Sequence, residues 1–273
     1  MSLFETALQR MRGTTASGNL RTQGTVQSRR SEKNRAEPAA TTPPRQYPRC
    51  APDVTAMEVN CILPQLADRS ALRAYKILRT RLLQRMASNQ WYSLAVTGAG
   101  SGEGKTVTAT NLAIALAQDP NTNVTLVDLD LQRPRVAEYL GIHCEKGLGE
   151  YLMGEASIEE IIYSPNMERL AVIPNSRSFE HSSDQLSGQR MLDLVNYLKN
   201  EQPRRIVVYD MPPLMLSDDV LTFAPNADGV LMVVNEGVTA RGQLEKSKEL
   251  LAEMNLIGVV LNRSMERNDG AYY

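Results

Sequence analysis

The chain has 273 residues, 42% hydrophobic and 22% charged, with a formal net charge of −1. That is room for one large α/β domain with a full core, and it excludes a disordered polyion. No stretch approaches the ~18–20 continuous apolar residues of a membrane helix. Three cysteines, Cys50, Cys61 and Cys144, are too few and too scattered in sequence for a disulfide framework or a CxxC metal site, and two histidines, His143 and His181, make no His-rich centre. Met1-Ser-Leu-Phe-Glu lacks a basic region followed by an apolar run, so no secretory leader is expected and the expected compartment is the cytoplasm.

Charge is uneven along the chain. Residues 1–50 hold nine Lys/Arg and three Asp/Glu, while the remainder is net acidic. The text of residues 1–62 is too polar to bury much apolar surface, which predicts a disordered basic tail. Within it Leu3, Phe4, Ala7, Leu8 and Met11 share one helical face and predict a short helix. Residues 63–265 are the predicted folded domain, and 266–273 a flexible C-terminal tail.

Leu72, Tyr75, Leu78, Leu82 and Met86 recur at helical spacing and predict a helix over 70–86, with Arg73, Lys76 and Arg79 on its solvated side. Strands are then predicted at 93–97, 124–128, 170–174, 206–210, 230–234 and 257–261. Helices are predicted at 106–118, 150–162, 189–200 and 241–253. This alternation predicts a doubly wound, mostly parallel α/β sheet covered on both faces, with its ligand site at the carboxyl ends of the strands.

The motifs fall at that edge. Gly98-Ala-Gly-Ser-Gly-Glu-Gly-Lys-Thr follows the first strand and opens an apolar helix, the context of a P-loop. Backbone N–H groups of Gly100, Ser101, Gly102, Glu103, Gly104, Lys105, Thr106 and Val107 are placed to cradle phosphates. Lys105 would reach the β- and γ-phosphates and the Thr106 hydroxyl would ligate Mg²⁺. Ala99 stands where the usual pattern begins with glycine. Asp128 and Asp130 close the second strand and share a side if the strand conformation persists. Asp210 ends the fourth strand before Met211-Pro-Pro, as a Walker-B acid would.

Taken together, Gly102-Glu-Gly-Lys-Thr, Val127-Asp-Leu-Asp with Pro134, Val208-Tyr-Asp-Met-Pro-Pro, Ser217-Asp, Gly258-Val-Val-Leu-Asn and the terminal Tyr272-Tyr273 resemble the kinase domain of bacterial tyrosine autokinases of capsule and exopolysaccharide export. These form a P-loop NTPase branch shared with cell-division and partition ATPases. The resemblance, from about Ser70 onward, implies an ATP- and Mg²⁺-dependent protein-tyrosine kinase. In it Lys105, Asp128, Asp130 and Asp210 are catalytic, and Thr106, Asp128 and Asp210 hold metal. Asn262 contacts adenine, and Tyr272 and Tyr273 are autophosphorylated in trans. It implies self-association and a membrane polysaccharide co-polymerase (chain-length determinant type) as activating partner at the inner face of the plasma membrane. Nucleic acid is not an expected partner. Gly100, where the partition ATPases carry an early lysine, argues against a partition- or flagellar-type positioning ATPase. Two family positions differ. Gln132 stands for an arginine, with Arg133 beside it. Arg73 stands for the acid of the ring-forming ExxRxxR helix, completed here by Lys76 and Arg79. A nucleotide-dependent switch or scaffold without kinase activity is the alternative.

Overall fold

The computed structural model describes residues 47–65, 68–201 and 205–264. The predicted helix over residues 3–11, most of the basic tail, and Tyr272-Tyr273 lie outside the described residues. Six strands form one wholly parallel sheet: β1 (Ser93–Gly98), β2 (Asn123–Asp128), β3 (Leu170–Ile173), β4 (Arg205–Asp210), β5 (Gly229–Asn235) and β6 (Leu256–Asn262), in the order β3-β2-β4-β1-β5-β6. Every predicted strand is present to within a residue or so of its expected ends.

Alternation along the strands divides the core into two layers. Ala95, Val127, Val207, Tyr209 and Met232 face one cluster, which α7 (Gln189–Asn200) and α9 (Arg241–Leu250) cover with Met191, Leu194 and Leu244. Leu94, Val96, Leu126, Val208 and Val233 face the other, under α2 (Arg69–Asn89) and α3 (Lys105–Ala117), with Leu82, Met86, Leu112 and Leu116. Burial on both faces is what a parallel sheet requires. The predicted 70–86 helix is the centre of α2, whose start is capped by Asp68 accepting from the Ser70 amide at 2.8 Å.

Two expectations are corrected. The predicted tail 1–62 extends too far: residues 47–62 pack onto the domain. Helix α1 (Val54–Val59) is capped by Asp53, which accepts from Thr55 N at 2.7 Å, and Met57 and Ile62 are buried. Cys50 N donates to Ser164 O at 3.0 Å. The Tyr47 hydroxyl bonds Glu201, whose carboxylate pairs with Arg205 at 3.3 Å, and the Arg205 guanidinium lies over the Tyr47 ring. A few well-placed apolar side chains, diluted by polar text, hold this flank. The second correction concerns the helix predicted over 150–162. Only α5 (Leu148–Leu152) forms, ended by Gly154 at φ +82°. Ile161 and Ile162 reach the core from a loop, and Tyr163 bridges antiparallel to Val172. Their apolar spacing mimicked a helix face.

If the flank is part of the domain, Met57→Ala lowers unfolding stability by about 2–5 kcal/mol in urea melts. A residue in a solvated tail would change it by no more than about 0.5 kcal/mol.

Candidate nucleotide site

The P-loop spans from the end of β1 into α3, whose N-cap is Gly104 at φ +86°. A side chain there would collide with the Asn262 amide, so backbone conformation and close approach both require glycine. Gly98 is similarly confined: a Cβ would lie 2.8 Å from Val233 O. Ala99, by contrast, is fully buried and is not among the positive-φ residues, so its methyl group joins the core without strain. The departure from the glycine pattern therefore leaves the loop geometry intact.

The segment after β4 runs along the start of the loop. Met211, Leu214 and Met215 amides donate to the carbonyls of Val96, Gly98 and Ala99 at 3.0, 2.8 and 3.2 Å. The Thr97 hydroxyl donates to Pro212 O at 2.7 Å. Pro212 and Pro213 have no N–H, and neither is needed in this ladder. From the opposite side, Glu103 turns its carboxylate inward to accept from the Thr239 hydroxyl at 2.6 Å, and Asn262 donates to Glu103 O at 2.9 Å. Only the backbone of Glu103 is left to meet a phosphate. Asn262 Oδ1 accepts from Arg263 N at 2.9 Å, which helps fix the amide whose other end holds the loop. Ser101 and Gly102 are exposed on the rim, while Val107 packs against the second core cluster.

Lys105 is buried, and its ammonium donates to Gly100 O at 2.9 Å. Burial lowers its pKa, opposed by Asp210, Glu103 and Asp130. Asp128 and Asp210 sit directly opposite each other in the parallel register of β2 and β4, and neither is exposed. Asp128 Oδ2 accepts from the Arg135 and Val136 amides at 3.0 and 2.9 Å, at the start of α4 (Val136–Leu140). Among the described residues its Oδ1 makes no well-formed hydrogen bond. Among the described residues neither oxygen of Asp210 makes a well-formed hydrogen bond, and the Thr106 hydroxyl is the polar group that comes near it. Burial pushes Asp210 up to about 7, the nearby Thr106 hydroxyl only partly offsetting it, and burial with the Asp210 charge raises Asp128 well above the carboxylate range. Leu129 and Leu131 both enter the core, so the alternation of β2 persists past its end and leaves Asp130 on the side of Asp128. Asp130 also caps its own turn, accepting from Arg133 N at 3.0 Å, and burial raises its pKa.

Sequence reasoning missed three supporting side chains, Ser182, Asp219 and Thr239. Gln132 donates to the Ser182 hydroxyl at 3.0 Å, which donates to the buried Asp219 at 2.8 Å. Asp219 stands next to the Ser217-Asp motif, which was its only signal; Ser182 had none. Thr239, which anchors Glu103, likewise carries no sequence signature.

The residues fit a divalent cation and an anionic ligand together. Asp210 offers two buried, under-bonded oxygens beside Thr106, and the α3 N-terminus and Lys105 supply positive potential. Among the described residues no three Asp, Glu, His or Cys side chains converge as a protein cage.

Asp210 has a raised pKa, so the folded state binds its proton more tightly than the unfolded chain. Stability is therefore lost as pH rises from about 4 through about 7, and removing the carboxylate restores it. In ligand-free protein Asp210→Asn melts higher than the parent at pH 8, by up to roughly 4 kcal/mol, and equally at pH 4. Thermal scans across pH check this.

Comparison with known proteins places this geometry. Residues 94–272 match the model of the CobQ/CobB/MinD/ParA nucleotide binding domain. The chain is 30% identical over 123 residues to the tyrosine-protein kinase CpsD of Streptococcus agalactiae, covering 44% of this chain and 52% of that protein. It is 29% identical over 151 residues to the tyrosine-protein kinase YwqD of Bacillus subtilis, covering 54% and 63%. It thus spans only about half to three-fifths of these curated relatives. The solved kinase domain of the Escherichia coli tyrosine kinase ETK superposes with a TM-score of 0.69 at 27% identity, covering 78% of this chain and 82% of that one. With its P-loop, paired strand-end carboxylates and six-stranded parallel sheet, the chain belongs to the CobQ/CobB/MinD/ParA nucleotide binding domain family.

Proposed function

We propose that this chain is an ATP- and Mg²⁺-dependent protein-tyrosine kinase that autophosphorylates and regulates capsule or exopolysaccharide assembly. The carrying observation is the pair Asp128 and Asp210, in register, buried and under-bonded, beside a P-loop lysine. Relatives named as tyrosine-protein kinases support the reaction class, and similarity to the succinoglycan biosynthesis transport protein ExoP of Rhizobium meliloti supports the exopolysaccharide setting.

In this reading the loop amides from Gly100 to Thr106 bind the phosphates and Lys105 swings from Gly100 O to the β/γ-phosphates. Thr106 and Asp210 would hold Mg²⁺, which when bound neutralises charge on the phosphates. Asp128, held in place through Oδ2, presents Oδ1 as the acceptor of a tyrosine hydroxyl proton; burial raises its pKa, which makes it a stronger base once ionised. Asp130 supports the local field. The hydroxyl oxygen attacks the γ-phosphorus in line and ADP leaves. Phosphoryl transfer asks mainly for such positioning and charge neutralisation. Tyr272 and Tyr273 are the proposed acceptors, donated by a neighbouring copy. A membrane co-polymerase is the proposed activator and would recruit the chain to the inner membrane face. Among the described residues no helix is long and apolar enough to cross a membrane.

The test is incubation with Mg-ATP, with and without the cytoplasmic tail of such a partner, followed by phosphopeptide mapping. Phosphate is expected on Tyr272 or Tyr273. Lys105→Met and Asp128→Asn are each expected to reduce it by at least about a hundredfold, the scale of lost transition-state stabilisation. Nucleotide binding without any phosphotyrosine would replace the kinase with a nucleotide-dependent switch.

A further inference from the structure

We propose that Gln132, Ser182 and Asp219 form a hydrogen-bonded relay that positions Asp130 in the nucleotide site. The inference rests on the reading of these strand ends as a site for a nucleotide and a divalent cation. The relay has one direction. Gln132 Nε2 is a donor and meets Ser182 Oγ at 3.0 Å, and the Ser182 hydroxyl donates in turn to Asp219 Oδ1 at 2.8 Å. The three residues come from three separate segments, following β2, β3 and β4. Ser182 opens α6 (Ser182–Ser187) and Asp219 opens α8 (Asp219–Phe223), and both are buried.

The near end of the relay reaches Asp130 through one peptide unit. The Gln132–Arg133 peptide gives its N–H to Asp130 Oδ1 at 3.0 Å, and its oxygen accepts from the Ser178 hydroxyl. Phe179 N donates to Leu131 O at 2.9 Å. Leu129 and Leu131 are fully buried, so the backbone on either side of Asp130 is pinned by the core. The direction of the carboxylate is left to the Arg133 amide. By holding the Gln132 side chain, Ser182 holds the residue whose peptide presents that amide.

The far end ties the relay to the P-loop. Asp219 ends the segment that starts at Asp210 and runs along the loop through the Met211, Leu214 and Met215 amides. Its side chain is out of solvent, and among the described residues it forms no ion pair and its Oδ2 makes no well-formed hydrogen bond. A carboxylate buried in this way costs stability, so packing alone does not account for it. Burial, and to a lesser degree the Asp219 charge, raises the pKa of Asp130, whose own charge acts on Lys105 and Asp210. Asp130 thus lies in the field that an entering cation meets. Gln132, Ser182 and Asp219 are positioning residues, acting on the site through it.

The full chain is compared with Gln132→Met, Ser182→Ala and Asp219→Asn, each also made in an Asp130→Asn background. Gln132 is exposed, so Gln132→Met is expected to melt like the parent. In the empty protein, hydrogen exchange of the Arg133 amide is expected to quicken roughly tenfold in Gln132→Met and Ser182→Ala. Mg²⁺ titrated into ADP-loaded protein is expected to bind about tenfold more weakly in both, the scale of a lost outer partner of a metal site. ADP affinity without Mg²⁺ is expected to stay unchanged. Asp219→Asn, whose carbonyl still accepts from Ser182, is expected to stay within about twofold of the parent. In the Asp130→Asn background the Mg²⁺ losses are expected to vanish, because the relay acts through Asp130. Unchanged Mg²⁺ affinity in Gln132→Met and Ser182→Ala, or losses of the same size without the Asp130 carboxylate, would overturn the relay alone. A parent protein that binds no ADP would overturn the nucleotide reading and the relay with it.

Discussion

The parallel pairing of β2 with β4 sets Asp128 against Asp210 with no solvent at either side chain. Two buried carboxylates side by side repel each other and lose their hydration, so both favour the protonated form. A monomeric core gains nothing from this arrangement. It is sustained because each strand is locked on both sides: β4 lies between β2 and β1, and β2 between β4 and β3. The two apolar layers that enclose the sheet supply the stability against which the carboxylates act. The site is thus a local weakness held open by the fold, as functional sites commonly are.

Other features of this edge of the sheet follow from holding that weakness in a usable geometry. The α4 amides take one oxygen of Asp128 and leave the other without a well-formed hydrogen bond among the described residues, which fixes the carboxylate's direction. The chain after Asp210 returns along the start of the P-loop by three backbone hydrogen bonds, which tie Asp210 to the loop. Thr239 and Asn262 grip the far side of the loop through Glu103. The P-loop is therefore clamped between the ends of β4, β5 and β6 while its phosphate-facing amides stay uncommitted to side chains. Preorganised donors of this kind need little rearrangement when an anion arrives.

The strands were legible because a parallel sheet buried on both faces demands short continuous apolar runs, and each such run was bounded by polar or glycine text. Lys105, Thr106, Asp128 and Asp210 were legible because their chemistry is tied to strand ends in chain order. Local sequence failed where long-range contact decides. Met57 and Ile62 sit in polar text, and only the surface of α4 and α3 makes them core. Ile161 and Ile162 continue a helical spacing that Gly154 interrupts. Thr239 and Ser182 join residues whose neighbours in sequence say nothing of one another. Asn262 was identified only through family resemblance, and its hydrogen bond to Glu103 O, far away in sequence, had no signal of its own.

The central claim is that Asp210 is charge-poor in the empty protein and becomes anionic when cation and nucleotide enter. Isothermal titration of Mg-ADP at pH 6.5, in buffers of differing ionisation enthalpy, counts the protons exchanged on binding. The account predicts release of up to roughly one proton per site, falling away above about pH 8.5, where Asp210 is already ionised. Binding with no proton release at pH 6.5, or with the same affinity and proton count in Asp210→Asn, would contradict it.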